Sequence, residues 1–128
     1  MLAETRRIAD QLRRAANGPC WHGPAVLEVL EGVDARLASA KPAGFNHSIW
    51  ELLLHCGAWQ AAALAALNGT PLDVEDGESF PARPARASRA SWNAARQTFE
   101  SGSEALAAAT EQLRVEKLAD IVPGRKYN

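Results

Sequence analysis

The stretch from Ser48 to Leu67 constrains the fold more than any other part of the chain. Ser48 is a good helix N-cap, and Glu51 stands three residues later, where its carboxylate can reach back to the amide of the cap. Glu51 is also the only formally charged residue between Ile49 and Leu67. A helix that is apolar on nearly every side belongs in an interior, and its few polar side chains would be costly in hydrocarbon. We therefore predict a buried helix of a water-soluble domain.

One stripe of this predicted helix carries the most suggestive chemistry in the sequence. Glu51, His55 and Trp59 follow one another at intervals of four residues, so they lie on the same side of the helix. An ionisable imidazole beside a carboxylate can serve a reaction or a metal ion. An interior histidine that makes a single hydrogen bond explains the same pattern, and the residues alone favour that structural interpretation.

Length and composition restrict the class of protein. The chain has 128 residues, which fits one domain over residues 1–128, and its formal charge is −1. No basic field attracts nucleic acid or an anionic membrane surface, so neither is predicted as a partner. The N-terminal residues lack the pattern of a secretory signal. Cys20 and Cys56 stand far apart, which favours reduced thiols and a cytoplasmic protein.

Apolar spacing and helix breakers predict four helices, near residues 3–16, 24–39, 48–67 and 88–113, with no strand. Each carries an apolar stripe, so the predicted fold class is all-α, an up-and-down helical bundle. The connection 69–87 is long for a bundle, and we interpret it as a solvated crossover in preference to a functional loop. The residues predicted to be buried are Leu30, Ile49, Leu52, Leu53, Trp59, Leu64 and Phe99.

Catalytic motifs are few. His22, His47 and His55 are the only histidines, and two turns of helix between the last two would separate them by about 12 Å, too far to bind one ion. Glu51 and His55 could both contact a metal, although such a pair is also a common structural pattern. The sequence has no phosphate-binding loop, no nucleophile elbow and no Cys-x-x-Cys pair. The four tryptophans favour packing over an aromatic pocket wall.

Three segments together resemble the DinB-like superfamily of small bacterial four-helix bundles. They are Trp21-His22-Gly23-Pro24, the run from His47 to His55 with Trp59 beyond it, and the tail from Val122 to Tyr127. The resemblance covers most of the chain. It implies a divalent metal, zinc or nickel, bound by three histidines, and His55 occupies the position of the first. The other two would stand four apart on a final helix that this sequence does not contain, which implies a C-terminally truncated bundle.

Two functions remain open from this resemblance. One is a metal-dependent enzyme, a thiol transferase or a hydrolase of small molecules, with weak or no metal binding expected in the 128-residue form. The other is a non-catalytic helical module that dimerises through an apolar groove left open by the missing helix. Because the missing helix would cover the side of the helix at 48–67 that carries His55, we expect a homodimer or larger assembly, with the helix at 48–67 near the contact. No catalytic residue is identified beyond the metal ligand His55.

Overall fold

The computed structural model describes residues 3–72, 74, 79–124 and 126. Five α-helices follow one another along the chain: α1 (Glu4–Asn17), α2 (Val26–Val29), α3 (Ala35–Ser39), α4 (Ile49–Leu67) and α5 (Arg89–Gln112), with a 3-10 helix at Val115–Ala119. Over these residues there is no β-strand, only one isolated bridge between Cys20 and Gly23. The prediction of an all-α fold is confirmed. No helix in the described ranges combines the length and apolar character that a membrane span requires.

The caps of the two longest helices explain why they begin where they do. Ser48 Oγ accepts a hydrogen bond from the Glu51 amide at 3.1 Å, and the Glu51 carboxylate reaches back to the Ser48 amide at 3.5 Å. Ser88 and Ser91 exchange the same pair of bonds at the start of α5, each at 3.0 Å. Both caps satisfy amides that the helix itself leaves unpaired. The capping box predicted for α4 is therefore present.

The single helix predicted for residues 24–39 is wrong, because the chain breaks it into α2 and α3. Gly32 adopts a φ of 79°, a left-handed conformation that interrupts the helix and that glycine reaches without strain. Asp34 then starts α3, its side chain accepting a hydrogen bond from the Leu37 amide at 2.8 Å. Gly32 and Asp34 are ordinary signals for a helix end and a helix start, and the apolar stripe running across them concealed the break.

Helix α5 packs against both α1 and α4. Helices α4 and α5 run parallel. The rings of Trp50 and Trp92 meet near the two helix starts, with centroids 5.1 Å apart. Leu67 and Leu113 line one cavity near the two helix ends. Consecutive helices in strict up-and-down order would be antiparallel. The connection between α4 and α5 is instead a crossover that returns the chain to the end from which α4 started.

Between the tryptophan contact at the helix starts and the cavity at the helix ends, α5 approaches α4 closely at Gly102. A Cβ atom at this position would lie 3.0 Å from the Gln60 side-chain oxygen, closer than ordinary packing allows. A side chain at position 102 would therefore require the end of the Gln60 side chain to shift.

On the other side of α5, an ion-pair cluster joins it to α1. Arg13 contacts Glu104 and Glu111, each at 3.0 Å. Hydrogen bonding to Arg13 lowers the pKa of the Glu104 carboxyl.

The core lies where the first half of α5 meets the start of α4 and the end of α1. Its buried members are Ala16, Leu30, Ala38, Trp50, Leu53, Trp92 and Phe99. Of the predicted core residues, Leu30, Leu53 and Phe99 are buried, and Ile49 and Leu64 are half-buried. The prediction is wrong for Leu52 and Trp59, which are 47% and 50% exposed.

Leu52 and Trp59 are exposed because neighbouring helices cover only one side of α4. Trp50 and Leu53 are its only fully buried residues, and Cys56, which lies on this helix predicted to be buried, is exposed. The near-uniform apolar composition of α4 therefore does not correspond to uniform burial.

Candidate functional site

The imidazole of His55 is held by the crossover. Its Nδ1 lies 2.5 Å from the backbone carbonyl oxygen of Ser79, and the side chain is half-buried. A carbonyl oxygen can only accept a hydrogen bond, so Nδ1 carries the proton and donates it. In the neutral ring Nε2 then holds the lone pair. His55 is therefore oriented as an acceptor or a metal ligand through one defined nitrogen atom.

Phe80 stacks against two histidines at once. Its ring centroid is 3.9 Å from that of His47 and 4.0 Å from that of His55, and the planes differ by 5° and 13°. Two parallel rings this near would overlap on one face, so the histidines lie on opposite faces of Phe80. His47 and His55 therefore cannot bind the same ion in this arrangement.

Glu51 interacts with His47 and with the start of α4. Its carboxylate lies 3.2 Å from His47 Nδ1, accepts the Ser48 hydroxyl at 3.2 Å and approaches Lys41 Nζ at 3.9 Å. Hydrogen bonding to His47, and then to Ser48, lowers the pKa of the Glu51 carboxyl, which keeps it ionised at neutral pH. The Ser79 carbonyl, and not Glu51, is therefore the group that orients the His55 ring.

The remaining polar and aromatic candidates lie at the edges of this site. Trp59 presents an edge to His55 at a centroid distance of 6.4 Å and remains half-exposed. His22 is exposed, and its ring meets that of Trp21 nearly at a right angle, with centroids 5.4 Å apart. Across the described part of the chain, no three His, Cys, Asp or Glu side chains come together as a metal-binding group. The described residues therefore provide no second protein ligand beside His55, the ligand that the resemblance implies.

Sequence reasoning missed the contribution of the crossover. Ser79 is buried, at 8% exposure, and Phe80 is half-buried between the two rings, so this part of the connection is packed on α4 and is not a solvated loop. The only local signal was an aromatic residue within a polar, proline-rich stretch. Residues 73 and 75–78 of the same connection lie outside the described residues.

The donor set can be tested against a divalent metal. Histidines that bind metals almost always donate their other ring N–H to a carboxylate, a backbone carbonyl or water, and the bond from His55 to Ser79 is of this kind. Zinc usually takes four ligands in a tetrahedron, and one imidazole supplies only the first. His55 therefore fits a metal ligand, and the described residues form an incomplete site.

Comparison with known proteins identifies the family. The model of the DinB superfamily matches residues 21–127. Searches among curated proteins and among solved structures found no match. The matched region runs from the turn before α2 to the segment after α5, and it includes His47, Phe80 and His55. Because this match spans well over half of its length, the chain belongs to the DinB superfamily.

Proposed function

We propose that this protein binds a divalent metal, zinc or nickel, with His55 as a ligand, and acts on a small molecule by thiol transfer or hydrolysis. One observation carries the proposal: the hydrogen bond from His55 Nδ1 to the Ser79 carbonyl leaves Nε2 as the coordinating atom. When bound, such a metal lowers the pKa of a coordinated water or thiol and so supplies a nucleophile near neutral pH.

The residues around His55 fix its ring in two ways. The Ser79 carbonyl selects the tautomer, and the face of Phe80 selects the plane of the ring. Trp59 adds a large apolar ring beside it, with the two ring centroids 6.4 Å apart. A ligand held in one orientation loses less conformational entropy when it binds, so this arrangement favours coordination over a freely rotating surface histidine.

His55→Ala is expected to weaken zinc binding by about tenfold or more, because it removes the coordinating nitrogen. Titration of the 128-residue chain with zinc and nickel, followed by calorimetry, measures the dissociation constants. We expect weak binding by the unmodified chain, since one imidazole is far from a complete set of ligands. Binding should weaken further as the pH falls, because a protonated imidazole has no lone pair to offer.

His47→Ala is the matched control. His47 stacks on the opposite face of the same Phe80, and its Nδ1 is engaged by Glu51. Its removal changes the number of histidines by one without touching the proposed ligand, so metal affinity should stay within about twofold of the unmodified chain. Equal affinities of the unmodified chain and His55→Ala would remove His55 from the site and leave it a structural histidine.

A second candidate function, homodimerisation through α4, is favoured by a specific surface. We use "open stripe" for the exposed residues of α4 at helical spacing: Leu52, Cys56, Trp59, Ala63 and Leu67. Large exposed apolar side chains grouped on one helix face are typical of interaction surfaces. A second copy of the chain offers the same stripe, and two such stripes would bury each other about a twofold axis.

Sedimentation at micromolar concentration tests this alternative. We expect a dimer for the unmodified chain and a shift to monomer for Trp59→Glu, because a charge placed in the contact would have to be buried unpaired. Val115→Glu is the control, since Val115 is 47% exposed but lies on the 3-10 helix, outside the open stripe. A monomer at every concentration for the unmodified chain would refute dimerisation through this surface.

A further inference from the structure

A polar cavity lies between the turn that joins α2 to α3 and the first two turns of α5. Its volume is about 570 Å³. We call it the arginine pocket, because Arg36, Arg89 and Arg96 line it together with Asn93 and Asp34. None of the residues proposed to hold the metal is part of this lining.

The residues that line the arginine pocket carry an excess of positive charge. Within the described ranges, none of its three arginines forms an ion pair, whereas Arg7, Arg13, Arg14 and Arg114 each contact a carboxylate. Its single acid, Asp34, uses one side-chain oxygen to accept the Leu37 amide at the start of α3. Three guanidinium groups therefore face one carboxylate that is already engaged.

Two features direct these arginines toward a common ligand. Arg89, Asn93 and Arg96 occupy successive positions on one face of α5, and Arg36 reaches the pocket from α3. The second feature concerns Arg96, whose Nε atom is buried and has no hydrogen-bond acceptor among the described residues. No contact of this nitrogen with those residues therefore holds the guanidinium elsewhere in the protein.

The frame of the pocket is rigid. Trp92 is buried and donates from Nε1 to the Val33 carbonyl at 2.8 Å, which fastens the turn before α3 to α5. This contact holds the backbone that carries Arg36 next to the backbone of α5 before any ligand arrives. The pocket also lies along the first turns of α5, where the helix dipole adds positive potential. A preformed site of one charge sign lowers the cost of binding an ion of the opposite sign.

We propose that the arginine pocket binds the phosphate group of a small molecule. Guanidinium groups present paired N–H donors that match the oxygens of phosphate, and three positive charges suit a group that carries about two negative charges near neutral pH. The asparagine amide supplies a neutral donor on the same face of α5. This inference stands independently of the proposed metal site.

Calorimetric titration with inorganic phosphate at constant ionic strength tests the proposal. We expect saturable binding to one site and a loss of about tenfold or more in affinity for Arg36→Gln and for Arg89→Gln, because each removes a charge-assisted donor. Both side chains are exposed, so the variants should fold normally, which circular dichroism verifies. Arg96→Lys keeps the charge but removes the fork of donors, and it should also weaken binding.

Arg6→Gln is the matched control. Arg6 is exposed, forms no ion pair in the described part of the chain and lies on α1, outside the arginine pocket. The change in net charge is the same, so its phosphate affinity should stay within about twofold of the unmodified chain. Equal losses in Arg6→Gln and Arg36→Gln would reduce the effect to general charge attraction and overturn the proposal. Tighter binding of citrate than of phosphate would overturn the assignment to phosphate.

Discussion

Replacing Trp92 with alanine is expected to lower the free energy of unfolding by about 3–5 kcal/mol. Trp92 is 2% exposed and lies at the centre of the core, where its ring meets that of Trp50 at 5.1 Å. The substitution removes the largest buried side chain of α5 and leaves a cavity between α3, α4 and α5 that their backbones cannot close. Urea denaturation followed by far-ultraviolet circular dichroism measures the change.

Trp92→Phe separates packing from hydrogen bonding in this effect. Phenylalanine keeps most of the apolar volume but cannot donate to the Val33 carbonyl, which Trp92 Nε1 contacts at 2.8 Å. Its expected cost, about 1–3 kcal/mol, is that of leaving the carbonyl unpaired together with a smaller cavity. Trp21→Ala is the control, because Trp21 is 89% exposed, and it should change stability by no more than about 0.5 kcal/mol. Equal effects at Trp92 and Trp21 would contradict the core described here.

The second large effect is expected on α4 itself. Leu53→Ala should destabilise the protein by about 2–5 kcal/mol, since Leu53 is 4% exposed and packs within the central cluster. Leu52→Ala, one residue earlier, should cost less than about 1 kcal/mol, because Leu52 is 47% exposed and already in contact with solvent.

These neighbours form a matched pair, because they have the same side chain on the same helix but point about 100° apart around its axis. Chemical denaturation of both variants therefore reports which side of α4 the other helices cover. A loss below about 0.5 kcal/mol for Leu53→Ala would mean that this side is not part of the core. A large loss for Leu52→Ala would indicate that a partner, such as a second copy, covers the open stripe.

Local patterns determined most of the helices. The ends of α1, α4 and α5 lie within one residue of their predicted bounds, and the capping box of Ser48 and Glu51 is formed as predicted. Capping and helix periodicity depend on residues three or four apart, so the sequence holds the whole of this information. The resemblance to the DinB-like superfamily likewise rested on short contiguous motifs, and the family match over residues 21–127 confirms it.

Only the tertiary structure decided which surfaces meet. An apolar pattern on all sides of α4 does not predict which side of the helix is buried. The burial of Leu53 and the exposure of Leu52 therefore depend on where α5 packs. Phe80 reaches His55 from 25 residues further along the chain, through a crossover that makes α4 and α5 parallel. The meeting of Arg36 with α5 likewise depends on the buried contact of Trp92 with the preceding turn. Contacts between distant segments follow from how whole helices pack, and no short sequence pattern encodes that choice.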